Sequence, residues 1–301
     1  MSASGPESVI ASTEADAAGT PRGGTSVGDA LQGAVTAIAA AGCETPRLDA
    51  EVLLADVLGV PRERLITDRS LRVRGPAVRA FQNAVRRRAV EREPVAYITG
   101  RRAFRDIDLA ADARALIPRP ETELLVEAGL ALPAGSSVLD VCTGGGAVAL
   151  ALKHERPHLD VWGSDVSEAA LSLARENGER LGLEVSWLHA DLLEGIPDSF
   201  DAVLANPPYV AEPARAALAP EIVRHEPAGA LFAGSDGLAV IAPLVGQLAA
   251  RERIATAAIE VGEGQAETVA RMLRDAGFGA TSVEVDLGGI KRVVIGRKGR
   301  G

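Results

Sequence analysis

Val138-Leu-Asp-Val-Cys-Thr-Gly-Gly-Gly146 is the stretch that decides how this chain is built. Val138 to Val141 reads as a buried strand. It runs into a glycine-rich turn, and a helix follows through Lys153. Outward from there the alternation continues. Val161 to Ser164 is a second strand, Glu168 to Leu181 a helix, and Val185 to Leu188 and Ala202 to Ala205 a third and fourth strand. A helix near Leu238 to Ala249 leads to a strand at Ala255 to Val261. A helix at Gln265 to Ala276 precedes two strands, Ser282 to Val285 and Arg292 to Ile295, joined at Gly288-Gly289. Strands separated by helices pair in parallel, so the fold class is α/β, a doubly wound sheet with an antiparallel closing hairpin. No internal repeat interrupts this pattern.

The half before it is different. Val27, Leu31, Ala34, Val35 and Ile38 recur at helix spacing, with Gly42 as a stop. Asp49 to Leu58 repeats the pattern and Gly59 closes it. Pro61 suits a first helical turn, and Val78, Phe81 and Val85 share a face that Arg79, Arg86 and Arg87 avoid. Residues 26–93 therefore predict a small helical bundle whose apolar stripes bury one another. Residues 94–118, with Tyr97-Ile98-Thr99-Gly100, Phe104 and the Ile107/Leu109 alternation, predict a hairpin linker. A helix is expected to resume from Glu121 to Leu132.

Composition excludes several classes. The chain has 301 residues, 47% hydrophobic and 24% charged, enough for two domains with a sizeable core. Two cysteines, Cys43 and Cys142, are too few for a disulfide framework or a cysteine-based zinc site, so no metal is expected. Residues 1–25 have no basic start and no continuous apolar run, which predicts a disordered extension and no signal peptide. No apolar stretch approaches the roughly 20 residues of a membrane span, and a cytoplasmic location is the default expectation. A net charge of −9 disfavours direct binding to duplex DNA. Only nine residues are aromatic, too few for a single-strand stacking surface. Charge is nevertheless uneven. Thirteen arginines against four acids give Pro61 to Arg105 a balance of +9, leaving −18 for the remainder. Such a block is either a solvated helix face or a docking surface for an acidic partner or RNA.

Ligands of an open parallel sheet lie beyond the carboxyl ends of its strands. Three segments fall there. Cys142-Thr143-Gly144-Gly145-Gly146 lets backbone approach a ligand closely, and would suit a nicotinamide cofactor, a flavin or S-adenosylmethionine. Asp165 follows Gly144 by 21 residues, and its carboxylate can accept both hydroxyls of a ribose, while Ser167 serves as the helix cap. Asn206-Pro207-Pro208-Tyr209 ends the fourth strand. Two prolines cannot continue a ladder, and an asparagine before proline is held extended. The Asn206 side-chain oxygen and the Pro207 carbonyl then form a rigid pair of acceptors suited to a planar amino group, with the Tyr209 ring as its cover.

Asn206 to Tyr209 after the fourth strand resembles the methyltransferases that act on planar amino groups. Ile117-Pro-Arg-Pro-Glu-Thr-Glu123, Pro94 to Gly100, Glu226-Pro227 through Asp236-Gly237-Leu238, and Glu260-Val-Gly-Glu-Gly-Gln265 are similar to the HemK/PrmC family. That family comprises the peptide chain release factor glutamine methyltransferases, and the likeness runs from about Leu31 to Arg297. It implies a Rossmann-like class I S-adenosylmethionine-dependent methyltransferase sheet over residues 119–301, with a small N-terminal helical bundle for substrate docking. The implied reaction is methyl transfer to the side-chain amide nitrogen (N5) of the glutamine in the Gly-Gly-Gln loop of release factors. The implied cofactor contacts are Cys142, Thr143, Gly144, Gly145 and Gly146 for the methionine part, Asp165 for the ribose, and Asp191 and Leu192 beside the adenine. Asn206, Pro207, Pro208 and Tyr209 would hold the glutamine, with Asn206 near the transferred methyl. Cys142 stands where the family usually has glycine, Gly145 where it has threonine, and Leu192 where an aromatic residue is common. The alternatives are a ribosomal-protein glutamine methyltransferase, an adenine-methylating DNA enzyme, and a silent adenosine- or RNA-binding protein. The oligomeric state is not fixed by the sequence, and a monomer is expected.

Overall fold

The computed structural model describes residues 24–68 and 70–299. Most of the expected N-terminal extension lies outside that range. Its last two residues, Gly24 and Thr25, do not: Thr25 joins Ser26 in β1, paired with β2 (Arg72–Val73) in a two-residue ladder. Between and after these strands come α1 (Val27–Ala40), α2 (Pro46–Leu58), α3 (Arg62–Thr67) and α4 (Pro76–Ala89). Local chemistry sets their ends. The Ser26 hydroxyl accepts from Asp29 N at 3.0 Å at the start of α1. Proline opens α2 and α4, and Gly59 stops α2 in the left-handed region. Ile38, Leu53, Leu54 and Phe81 interlock as the bundle's own core.

The linker departs from expectation at its start. Val95–Thr99 is a helical turn, α5, and not part of the hairpin. Pro94 presets its entry and Gly100 ends it at a φ of 71°. These two residues override the strand preference of Val95, Tyr97 and Ile98. The hairpin itself is confined to β3 (Arg101–Phe104) and β4 (Ile107–Ala110).

The remaining chain forms α6 (Glu123–Leu130), β5 (Ser137–Val141), α7 (Ala147–Glu155), β6 (Asp160–Asp165), α8 (Glu168–Leu181), β7 (Ser186–His189), β8 (Ala202–Ala205), α9 (Pro220–His225), α10 (Ile241–Ala249), β9 (Thr256–Glu260), α11 (Ala266–Asp275), β10 (Ala280–Val285) and β11 (Lys291–Arg297). The sheet has seven strands in the order β10-β11-β9-β8-β5-β6-β7, with β11 and β10 antiparallel at one edge. Alternate residues enter opposite cores, as a sheet covered on both faces requires. Leu139, Val203 and Ile259 pack under α10 and α11, while Val138, Leu204 and Ala258 pack with Leu125, Leu150 and Leu152 of α6 and α7. The chain runs outward from β5 through β6 to β7, then returns to place β8 on the other side of β5. That reversal opens a crevice beyond the carboxyl ends of β5 and β8.

Candidate active site

Seven of the expected site residues line one cavity of about 250 Å³ in that crevice: Cys142, Thr143, Gly144, Gly145, Asp165, Asn206 and Pro208. The glycine loop is anchored from below. Asp140, buried in β5, accepts from the Thr143 hydroxyl at 2.6 Å and from Ala149 N at 3.2 Å. Burial pushes its carboxyl up to about 7, against the opposing pull of those two donors. Asp165 ends β6 and accepts from Gly144 N and Ser167 N, each at 2.9 Å. Burial raises its carboxyl too, while the backbone N–H donors lower it. Ser167 caps α8 by accepting from Ala170 N at 3.3 Å, the division of labour the sequence suggests.

Cys142 adopts a φ of 58° and Leu192 one of 53°, a region that side chains with a Cβ rarely enter. At Cys142 this is the physical reason a glycine would be at home there. The Leu192 side chain packs in the core and Asp191 is exposed, so neither lines the cavity. Gly146 also stands back from it, as the residue that starts α7 at a φ of 84°.

Opposite the glycine loop stands the Asn206-Pro207-Pro208-Tyr209 edge. Pro207 is buried behind it. The Tyr209 ring, expected as a cover inside the cavity, instead packs against the core beside β9, with its hydroxyl donating to Glu260 Oε1 at 3.2 Å. Gln265 Nε2 donates to the Tyr209 carbonyl at 3.1 Å, and Gly237 closes in beneath. At a φ of 77°, any Cβ on Gly237 would stand 2.2 Å from that carbonyl oxygen. Asn206 donates through Nδ2 to Thr122 Oγ1 at 3.2 Å. Its Oδ1 accepts no hydrogen bond from the described residues and is left for a ligand.

The sequence did not single out the residues that support this edge. Thr122 and Pro118 bring Ile117 to Glu123 into the cavity wall. Glu226, buried, accepts from Ile117 N at 3.2 Å and from Arg119 Nη2 at 2.5 Å, and so fastens that segment to Pro227, Gly229 and Ala230 on the facing wall. Asn177, fully buried in α8, accepts from Ala110 N at 2.7 Å and donates to Gly145 O at 3.0 Å, tying the linker hairpin to the glycine loop.

The cavity discriminates among the cofactors left open by the glycine turn. Asp165 is not paired with Arg or Lys among the described residues, so its carboxyl faces one end of the cavity without a neutralising cation, while the more deeply buried Asp140 is taken up by Thr143 and Ala149. The Gly144 N–H is already engaged by Asp165 and does not project as a phosphate donor. A dinucleotide pyrophosphate would meet repulsion there, whereas a cofactor bearing positive charge and a ribose would not. The residues present fit S-adenosylmethionine.

A methyltransferase sheet with a glycine loop and an Asn-Pro-Pro-Tyr edge at its switch point is the class this architecture defines. Residues 29–100 match the family model for the PrmC N-terminal domain, and residues 120–241 the model for the methyltransferase small domain. A release factor glutamine methyltransferase from Deinococcus radiodurans is 40% identical, over 91% of this chain and 99% of that protein. One from Mycolicibacterium smegmatis is 44% identical, over 74% of this chain and 79% of its own. A methyltransferase structure from Pyrococcus furiosus superposes with a TM-score of 0.50 at 18% identity, over 66% of this chain and 92% of that one. The chain belongs to the release factor glutamine methyltransferase family.

Proposed function

We propose that the protein transfers a methyl group from S-adenosylmethionine to the side-chain amide nitrogen (N5) of the Gly-Gly-Gln glutamine of peptide chain release factors. The observation that carries this reading is the Asn206 carboxamide, held by Thr122 with its oxygen unengaged, across the cavity from the glycine loop and Asp165. When bound, the cofactor supplies an electrophilic methyl on a sulfonium. Cys142 to Gly145 would hold its methionine part and Asp165 its ribose, with Gly146, Asp191 and Leu192 outside the cavity lining.

The chain's own residues supply position. A glutamine amide nitrogen is a weak nucleophile because its lone pair is delocalised into the carbonyl. Asn206 Oδ1 accepts one of its protons, returns electron density to nitrogen and fixes its direction, with Pro207 buried behind the edge as its backing. Pro208 and Tyr209 keep that edge from yielding. Holding reactants in this way is worth roughly 7–11 kcal/mol in favourable cases. The same edge selects. A glutamate side chain has no N–H to offer, and sites of this kind reject such an analogue by about 10⁴–10⁵.

The helical bundle is the docking domain for the protein substrate. Much of its arginine block is engaged internally: Arg86 with Glu91, Arg87 with Glu93, and Arg88 with Asp49 and Glu221. That removes the ground for reading the whole block as an RNA surface. Arg62, Arg74 and Arg79 are exposed and make no ion pair among the described residues, and they are the charges left for docking. Mass spectrometry of a release factor co-expressed with this protein tests the function. One added methyl on the Gly-Gly-Gln glutamine supports it, and an unmodified glutamine beside a folded, cofactor-binding enzyme refutes it.

A further inference from the structure

We infer that Thr122 is a positioning residue that sets which end of the Asn206 carboxamide faces the substrate, and through it the choice of amide over carboxylate. The inference rests on the function proposed above. A carboxamide is nearly symmetric in shape, so an asparagine on a rim can present either its oxygen or its NH2 group, and only its hydrogen-bond partners decide between them. The partner here is the Thr122 hydroxyl, buried to 3% exposure, which accepts from Asn206 Nδ2 at 3.2 Å. The two residues are 84 positions apart and meet across the cavity wall.

A hydroxyl could also donate, which would favour the opposite orientation. The residue behind Thr122 settles this. Glu260, at the end of β9, is 1% exposed. Its Oε1 accepts the Tyr209 hydroxyl proton, and its Oε2 is buried beside Thr122 with no hydrogen-bond partner among the described residues. A threonine hydroxyl has one proton, and a carboxylate is the stronger acceptor. Above about pH 7, where this carboxyl is ionised, Thr122 can turn its proton to Glu260 and keep its lone pairs for Asn206, so the variants below are compared at pH 8. Tyr209 donates to the same carboxyl, so both ends of the Asn206–Tyr209 edge lie against Glu260.

The test compares Thr122→Val, which keeps the shape and removes the acceptor, with Thr122→Ser, which keeps the acceptor. The valine variant should lose about tenfold in kcat, the worth of one hydrogen bond of this kind, with cofactor Kd unchanged. Serine should restore the rate. An asparagine free to turn its NH2 outward also welcomes a carboxylate, so a short peptide with glutamate in place of the glutamine should inhibit the valine variant several-fold more tightly than wild type. A merely structural role for Thr122 would not strengthen that inhibition. Wild-type kcat in the valine variant, equal loss in the serine variant, or unchanged inhibition by the glutamate peptide would each overturn the inference. Should the valine variant not fold, Thr122→Ala against Thr122→Ser reads the same difference. A wild-type enzyme that leaves release factor unmethylated would instead refute the function beneath it.

Discussion

Arg88 of α4 reaches across to Glu221 of α9 at 3.0 Å, with both side chains largely buried, and so joins the helical bundle to the segment that leads into the cavity wall. Arg92 meets the other oxygen of the same carboxylate at 2.5 Å, and Arg88 also holds Asp49 at 2.6 Å. The two arginines lower the Glu221 carboxyl below the usual range, against burial, which raises it. Breaking a buried pair strands its partners. Glu221→Ala should cost about 3–5 kcal/mol in urea unfolding at pH 7. A cost below about 1 kcal/mol would mean that the pair contributes no more than an exposed one.

Docking is tested with charges that the fold does not use. Arg62, Arg74 and Arg79 changed together to Ser should raise KM for an intact release factor and leave KM for a short glutamine peptide unchanged. Equal effects on both substrates would dismiss the bundle as a docking surface. Substituting Arg88 could not answer this, because its loss would destabilise the fold first.

Cys142 carries a testable strain. At a φ of 58°, a β-branched side chain is worse placed than cysteine, and glycine is at ease. Cys142→Val should destabilise by about 1–3 kcal/mol. Cys142→Gly should stay within about 1 kcal/mol of wild type, since relief of strain offsets greater freedom in the unfolded chain. Thermal unfolding of the two variants makes the comparison, and equal losses would remove backbone strain as the explanation. Burial raises the thiol well above its ordinary value, so folded protein should also resist alkylation by iodoacetamide at pH 8.

Glu260 makes stability depend on pH. Burial lifts its carboxyl from 4.5 to about 7, so the folded state holds a proton that the unfolded state releases. Its contribution is full below pH 4.5, declines as pH rises, and is gone above about 7. Glu260→Gln, which keeps the neutral shape, should match wild type at pH 4.5 and be more stable at pH 8 by denaturant midpoint. A constant difference between the two proteins across that range would contradict the assignment.

The sheet was legible because its signals are local. Glu168 to Leu181 falls where the sequence puts it, since Ser167 caps its start and Gly182 ends it in the left-handed region. The glycine turn and the Asn206 edge were equally plain. What escaped is held by distant partners. The six-residue helix Pro220–His225 has little pattern of its own, and its place comes from Arg88 and Arg92, more than 120 positions earlier. Thr122, Glu226 and Glu260 sit inside stretches that resemble the family, yet their roles became visible only when folding brought them to Asn206, Arg119 and Tyr209. Tyr209 was placed correctly on the edge and given the wrong neighbour. Its ring serves the core behind the cavity.

In the proposed reaction one edge, Asn206, grips the substrate amide while a separate carboxylate, Asp165, holds the cofactor. Calorimetric Kd for S-adenosylmethionine, measured beside turnover on release factor for Asn206→Ala and Asp165→Ala, tests it directly. Asn206→Ala should lose at least about 10²–10³ in kcat and bind cofactor nearly as wild type does. Asp165→Ala should weaken cofactor binding by roughly 10-fold or more, as loss of hydrogen bonds to a charged group predicts. Lost cofactor binding in a folded Asn206→Ala protein, or an unchanged Kd in Asp165→Ala, would contradict the account.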